Sequence, residues 1–98
     1  MGNKKVNIAI QVLPESKEKH PYAIVDDAIE IINAAGFPYK VCPFETVVEC
    51  TLEEGLELVR KIHRQCEQSG AEKMMTYIKV QSDFSKDVTI DDKMEKYN

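Results

Sequence analysis

The chain has 98 residues, 43% of them hydrophobic and 31% charged, the proportions of an ordinary soluble domain with room for one hydrophobic core. Its formal net charge is −4 with acids and bases interspersed, which argues against a nucleic-acid interface, because that requires a clustered basic face. No apolar run approaches about 18 residues, so no transmembrane helix is expected; the three cysteines, at spacings of eight and sixteen, form no zinc pattern.

The chain begins "MGNKKVNIAIQVLP". The start is basic, but Asn7 and Gln11 break the apolar stretch, so it makes a poor signal peptide. The expectation is a cytoplasmic protein, reducing in environment and without disulfides. Within this segment "KVNIAIQVL" (5–13) alternates: Val6, Ile8, Ile10 and Val12 share one face, and Asn7, Ala9, Gln11 and Leu13 the other. Period two with β-branched residues predicts a strand, ended by Pro14. "ESKEKH" is then a polar connection.

"PYAIVDDAIEIINAAG" (21–36) changes to helical period, with Val25, Ala28, Ile29 and Ile32 on one stripe. Pro21 suits the first turn and Gly36 a C-terminal cap. "FPYKVC" (37–42) and "TVVEC" (46–50) are short β-type runs around "PFE", which predicts an antiparallel hairpin. "TLEEGLELVRKIHRQCEQSG" (51–70) is a second helix. Thr51 and Glu54 have capping-box spacing, Gly55 is a mild helix cost, and Gly70 is the stop. "EKMMTYIKVQ" (72–81) is the last strand. "TIDDKMEKYN" opens with Thr89 and Asp92, again in capping-box spacing, and predicts a short C-terminal helix.

The order βαββαβ predicts an α+β, ferredoxin-like plait over a single domain, 1–98: four antiparallel strands with both helices on one face. The face toward the helices would carry Val6, Ile8, Ile10, Val12, Val48, Met74, Ile78 and Val80. The opposite face would carry Asn7, Ala9, Gln11, Leu13, Val47, Glu49, Met75, Tyr77 and Lys79. A solvated sheet face is mostly polar. This one is mixed, so part of it is expected to be covered, by a second subunit, a ligand between subunits or the C-terminal helix.

Strand parity puts Cys50 with the core residues, and Cys66 lies on an apolar helix stripe, so both thiols are expected to be packing residues. His63 is expected to be a satisfied core-edge side chain and His20 a loop residue; neither has metal-triad spacing. No nucleophile–base pair is legible. Glu49 is a carboxylate in an apolar strand run. It either pairs with Lys79 or meets solvent, or it binds a cationic or amino-bearing heterocycle. Thr46 at the hairpin mouth could add a hydroxyl. Tyr22, Tyr39, Phe44 and Tyr77 could stack on a flat ring or simply pack.

These segments together resemble a family of small thiamine-binding proteins of about 100 residues, related to YkoF-like proteins. The resemblance rests on "VNIAIQVLP", "AIEIINAAGFPYKVCPFETVVE", the helix containing His63, "TYIKV" and "TIDDKMEKY". It includes a Thr-x-x-Glu strand (Thr46, Glu49) and a Thr-x-x-Asp/Glu-Lys element (Thr89, Asp92, Lys93). Two positions depart from the family pattern: Glu45 stands where many relatives have a glycine or small residue, and Cys50 where many have glycine. The resemblance implies a homo-oligomer, dimer or tetramer, that binds thiamine or its hydroxymethylpyrimidine moiety without catalysis, metal or cofactor. Thr46 and Glu49 carry over as ligand-binding residues by motif. Gln11, Phe44 and Tyr77 are added from strand parity and ring chemistry. The alternatives are a structural or regulatory plait without vitamin ligand and a small enzyme acting on a related heterocycle, with Glu49 as acid or base.

Overall fold

The βαββαβ order is realised in the structure, a computed structural model describing residues 4–97. Residues 1–3 of the basic start and Asn98 of the predicted last helix lie outside the described residues. The elements are β1 (Lys5–Glu15), α1 (Pro21–Ala35), β2 (Tyr39–Val41), β3 (Thr46–Thr51), α2 (Leu52–Gln68), β4 (Lys73–Gln81) and α3 (Ile90–Met94), then a single 3-10 turn, Glu95–Tyr97. The strands form one antiparallel sheet in the order β2-β3-β1-β4. α1 and α2 pack side by side on one face, and α3 contacts β3. This is a ferredoxin-like α+β plait.

Local chemistry accounts for the helix ends. His20 Nδ1 accepts the Tyr22 N–H at 3.1 Å, Pro21 opens α1, and Gly36 closes it in the left-handed region at φ 81°. At α2 both halves of the capping box are made: Thr51 Oγ1 accepts the Glu54 N–H at 3.2 Å, and Glu54 Oε1 accepts the Thr51 N–H at 2.9 Å. Thr89 Oγ1 accepts the Asp92 N–H at 3.1 Å to start α3.

The core lies between sheet and helices, where Ile8, Ile10, Val48 and Cys50 meet Ile24, Ala28, Ile32, Leu58, Ile62 and Cys66. Gly55 has a packing reason: a Cβ there would lie 3.2 Å from Cys50 Sγ and from two carbons of Ile8. Its bare backbone lets the first turn of α2 approach the sheet.

Three expectations need correction. Pro14 does not end β1; the strand continues to Glu15, with Pro14 opposite Met74. β2 is only three residues long. Ile78 and Val80, expected in the core, are 41% and 43% exposed. They lie on β4, the outer strand, while the recorded helix–sheet packing is of α1 and α2 on β1 and of α2 on β3. Val6, Ile8, Ile10 and Val48 are buried as expected, and Val12 and Met74 partly so.

The mixed face opposite the helices is covered at one end by the C-terminal segment. Val88 N–H donates to the Lys5 carbonyl at 2.9 Å, and Asn7 and Ala9 are buried. Asn7, with its amide set to satisfy both ends, donates to the Val88 carbonyl at 3.0 Å and accepts from Lys93 Nζ at 3.1 Å. Leu13, Met75 and Tyr77 at the other end remain exposed. No helix among the described residues is long and apolar enough to cross a membrane.

Candidate functional site

β1 is eleven residues long and β3 six, and their pairing stops at Ile10 opposite Thr46. The rest of β1 therefore projects beyond the β2–β3 hairpin. α1 passes over this step, and the three elements enclose a cleft of about 200 Å³. Its apolar lining comes from Ile10, Val12, Val25, Ala28, Ile29, Ile32 and Ile62. Tyr22 at the start of α1 and Phe44 at the hairpin tip also line it, and both rings are largely exposed, Phe44 at 81%. Polar residues along it are Gln11, Cys42, Glu45 and Thr46; the Gln11 side chain itself belongs to the opposite sheet face, beside its cross-strand neighbour Tyr77.

Three of the five predicted ligand-binding residues, Gln11, Phe44 and Thr46, thus meet at one cleft. Thr46 is only 6% exposed, and among the described residues its hydroxyl has no hydrogen-bond partner. Yet among the described residues no buried side-chain oxygen lacks a partner. Together these observations leave the Thr46 hydroxyl open to the cleft rather than sealed in the core.

Glu49 and Tyr77 are not among the lining residues. Thr46 shares a side of β3 with Val48 and Cys50, whereas Glu49 points to the opposite face of the sheet. There Glu49 Oε1 accepts the Ile90 N–H at 2.8 Å, so the carboxylate caps the first turn of α3. The Thr-x-x-Glu strand and the Thr-x-x-Asp-Lys element thus meet each other: Glu49 holds the start of α3, and Lys93 in the same helix reaches Asn7. Tyr77 is the cross-strand neighbour of Gln11, exposed on the open face.

Lys79 does not pair with Glu49. Its ammonium lies 3.1 Å from Glu45, the acid at the cleft rim, so Glu45 is drawn across β1 toward the open face. A second hollow, of about 310 Å³, lies there, lined by Asn7, Glu45, Lys79 and Lys93 among others. Its charged groups are already engaged: Glu45 by Lys79, and Lys93 by Asn7. The cleft beside α1 is the better candidate because its hydroxyl is uncommitted and its lining is apolar.

The thiols divide as parity predicts. Cys50 and Cys66 are fully buried and free. Burial pushes Cys50 up to about 11 from an ordinary value of 9.0, and pushes Cys66 up as well, so both stay protonated near neutrality. Cys42 is free and partly exposed in the hairpin, with its sulfur 3.9 Å from the Lys40 carbonyl. His63 Nε2 lies 2.8 Å from Thr76 Oγ1 and ties α2 to β4; neither histidine lines the cleft. Among the described residues no group of three or more His, Cys, Asp or Glu side chains could hold a metal ion.

Tyr22 is one of the four aromatic residues named for ring stacking, whereas Val25 and Ile29 of the cleft wall are not among the expected site residues. Their signal was the mismatch between a nine-residue alternation (5–13) and a five-residue run (46–50), which forces an overhang that a helix must cover.

Residues 8–98 match the sequence profile of a family described as thiamine-binding protein. A UPF0045 protein of Clostridium perfringens is 35% identical over 92 residues, covering 93% of this chain and 95% of that protein. The solved structure of a DUF77 domain from Bacillus cereus superposes with a TM-score of 0.93 at 36% identity, over 98% of this chain and 92% of that one. A Thermotoga maritima protein, provisionally assigned to thiamine biosynthesis or salvage, superposes with a TM-score of 0.87 at 31% identity, over 96% of this chain and 99% of that one.

Proposed function

The chain belongs to the family of thiamine-binding proteins, and from that premise we propose that it binds thiamine, through its pyrimidine half, in the cleft between α1 and the β2–β3 hairpin. The observation that carries this reading is the open hydroxyl of Thr46 in a largely apolar cleft. A volume of about 200 Å³ is below the ~300 Å³ at which drug-sized ligand sites begin. It suits one flat ring, with the remainder of the ligand outside. Phe44 and Tyr22 offer faces at the mouth for a ring or a thiazolium cation. Glu49 contributes indirectly, by fixing the C-terminal helix on the opposite face.

The function is non-catalytic, as for a cytoplasmic carrier or buffer of the vitamin. The description of the family as thiamine-binding supports this reading. The protein works as a homo-oligomer. Two groups of exposed apolar residues support this: Leu13, Met75 and Tyr77 on the open face, and Ile78, Val80, Leu52 and Leu56 on the helix side.

Calorimetric titration with thiamine and with hydroxymethylpyrimidine tests the proposal. Saturable heat for both, weakened in Thr46→Val, is expected. Absence of heat and of any melting shift at millimolar ligand would exclude vitamin binding and leave the reading of a structural plait. Sedimentation as a monomer at every concentration would exclude the oligomer.

A further inference from the structure

The hydrogen-bond phase of the sheet can be followed strand by strand. Cys42 N–H donates to the Glu45 carbonyl at 2.9 Å, and Glu49 N–H donates to the Pro38 carbonyl at 2.9 Å. Odd-numbered residues of β3 therefore turn their backbone groups toward β2. Even-numbered ones turn toward β1, where Thr46, Val48 and Cys50 exchange bonds with Ile10, Ile8 and Val6. On β1 it follows that even residues face β3 and odd residues face β4. The next even residue, Val12, faces the place where β3 has already ended. No turn, loop or side-chain hydrogen bond among the described residues involves Val12, and its one strand pairing is with Thr76 on the β4 side; by this alternation its N–H and carbonyl point away from that partner, to the edge that β3 leaves open. Pro14, the next even residue, has no N–H at all, which is why β1 can run through a proline: its ring nitrogen faces the unpaired edge.

An unpaired donor and acceptor on one residue, lining an apolar cleft, leave a polar demand that something else must meet. We propose that Val12 reads the ligand through its main chain. Its N–H donates to a ring nitrogen, and its carbonyl accepts from the amino group beside that nitrogen. This inference rests on the reading of the cleft as a pyrimidine site and specifies its polar contacts. In an antiparallel sheet one residue exchanges both bonds with the residue opposite. A heterocycle with an amino group next to a ring nitrogen presents the same acceptor–donor pair, and thiamine's aminopyrimidine is of that class. The Thr46 hydroxyl, on the strand residue opposite Ile10, lies at the end of the same step. An added peptide strand fits the edge less well. Pro14 gives it no donor, the hairpin tip at Phe44 closes one end, and it would gain one donor bond only.

The test uses the full-length, isotope-labelled protein and reads amide hydrogen exchange at Val12 during titration with 4-amino-5-hydroxymethyl-2-methylpyrimidine and with its 4-oxo counterpart, whose donor and acceptor are reversed. The aminopyrimidine should slow Val12 exchange about tenfold or more, and the oxo compound should bind about 10- to 100-fold more weakly. Val12→Pro, which deletes the N–H, should lose binding to a similar extent. Where Val12→Pro fails to fold, the wild-type exchange result decides alone. Equal binding of the two pyrimidines with unchanged Val12 exchange would overturn this inference and leave the thiamine reading intact. Protection of Val12 that appears without ligand as protein concentration rises would assign the edge to a second copy and overturn it. No binding of thiamine or of either pyrimidine would overturn both.

Discussion

Glu49 and Ile90 stand 41 positions apart, and Oε1 of the first accepts the backbone N–H of the second at 2.8 Å. This bond joins β3, the second strand of the hairpin, to the C-terminal helix and closes that end of the open sheet face. Glu49→Ala should therefore destabilise the segment 88–94 by about 1–2 kcal/mol, the value of a hydrogen bond to a charged acceptor with its partner left behind. Glu49→Gln, which keeps a carbonyl oxygen, should cost less. Amide exchange at Ile90 measures both. Pyrimidine affinity in the cleft should change less than twofold in either variant; a large loss would make Glu49 a direct ligand contact.

Thr46→Val separates binding from folding. The hydroxyl has no partner among the described residues, and valine conserves the shape, so unfolding free energy should move by no more than about 0.5 kcal/mol. Affinity for the pyrimidine should fall about tenfold, the loss of one hydrogen bond. Urea unfolding and calorimetry on the same preparation check the two halves. A strongly destabilised variant with unchanged affinity would show Thr46 to be a core residue only.

Gly55→Ala tests the close approach of α2 to the sheet. Alanine gains about 1 kcal/mol of helix propensity over glycine. Its Cβ, however, would meet Cys50 Sγ and two carbons of Ile8 at 3.2 Å, in a core where overpacking costs about 1–3 kcal/mol. The net expectation is a loss of about 1 kcal/mol. Cys50→Ala removes one of the three contacts, so the double variant should be more stable than the sum of the singles predicts, by about 0.5–1 kcal/mol. Strict additivity would show that the helix simply shifts.

Alkaline pH should weaken the fold through Cys50. Its folded value is raised to about 11 from 9.0, so the unfolded chain releases the proton first. The contribution is complete below pH 9 and is lost as pH rises toward 11. Between pH 8 and 10.5 the wild type should lose roughly 2 kcal/mol more than Cys50→Val, from about 1.4 kcal/mol per unit over the interval above 9. Parallel stability–pH curves for the two proteins would mean that the thiol is reached by solvent in the folded state.

Most of the fold was legible because its signals are local. Alternation over 5–13, the helical stripe over 21–36 and the Thr51–Glu54 capping spacing each depend on neighbours within a few residues, and each is realised. Pro14 was misread because a proline's effect on a strand depends on which edge its nitrogen faces, and that is set by pairing with residues far along the chain. Ile78 and Val80 were misassigned for a related reason. Parity gave their face correctly, but not that β4 is outermost and extends past the helices. Glu49 shows the limit most clearly: the motif identified an acid that matters locally, while the partner that engages it, Ile90, comes from the other end of the sequence.

What the sequence determined alone was therefore the set of elements and the face each strand side chain takes, because periodicity and capping are short-range. What only the tertiary structure decided was which backbone and side-chain groups are left without partners. Val12 carries the same amide as any other strand residue. It becomes available only because β3 stops one pair short of it while α1 roofs the gap, and that depends on strand register and length across the whole sheet.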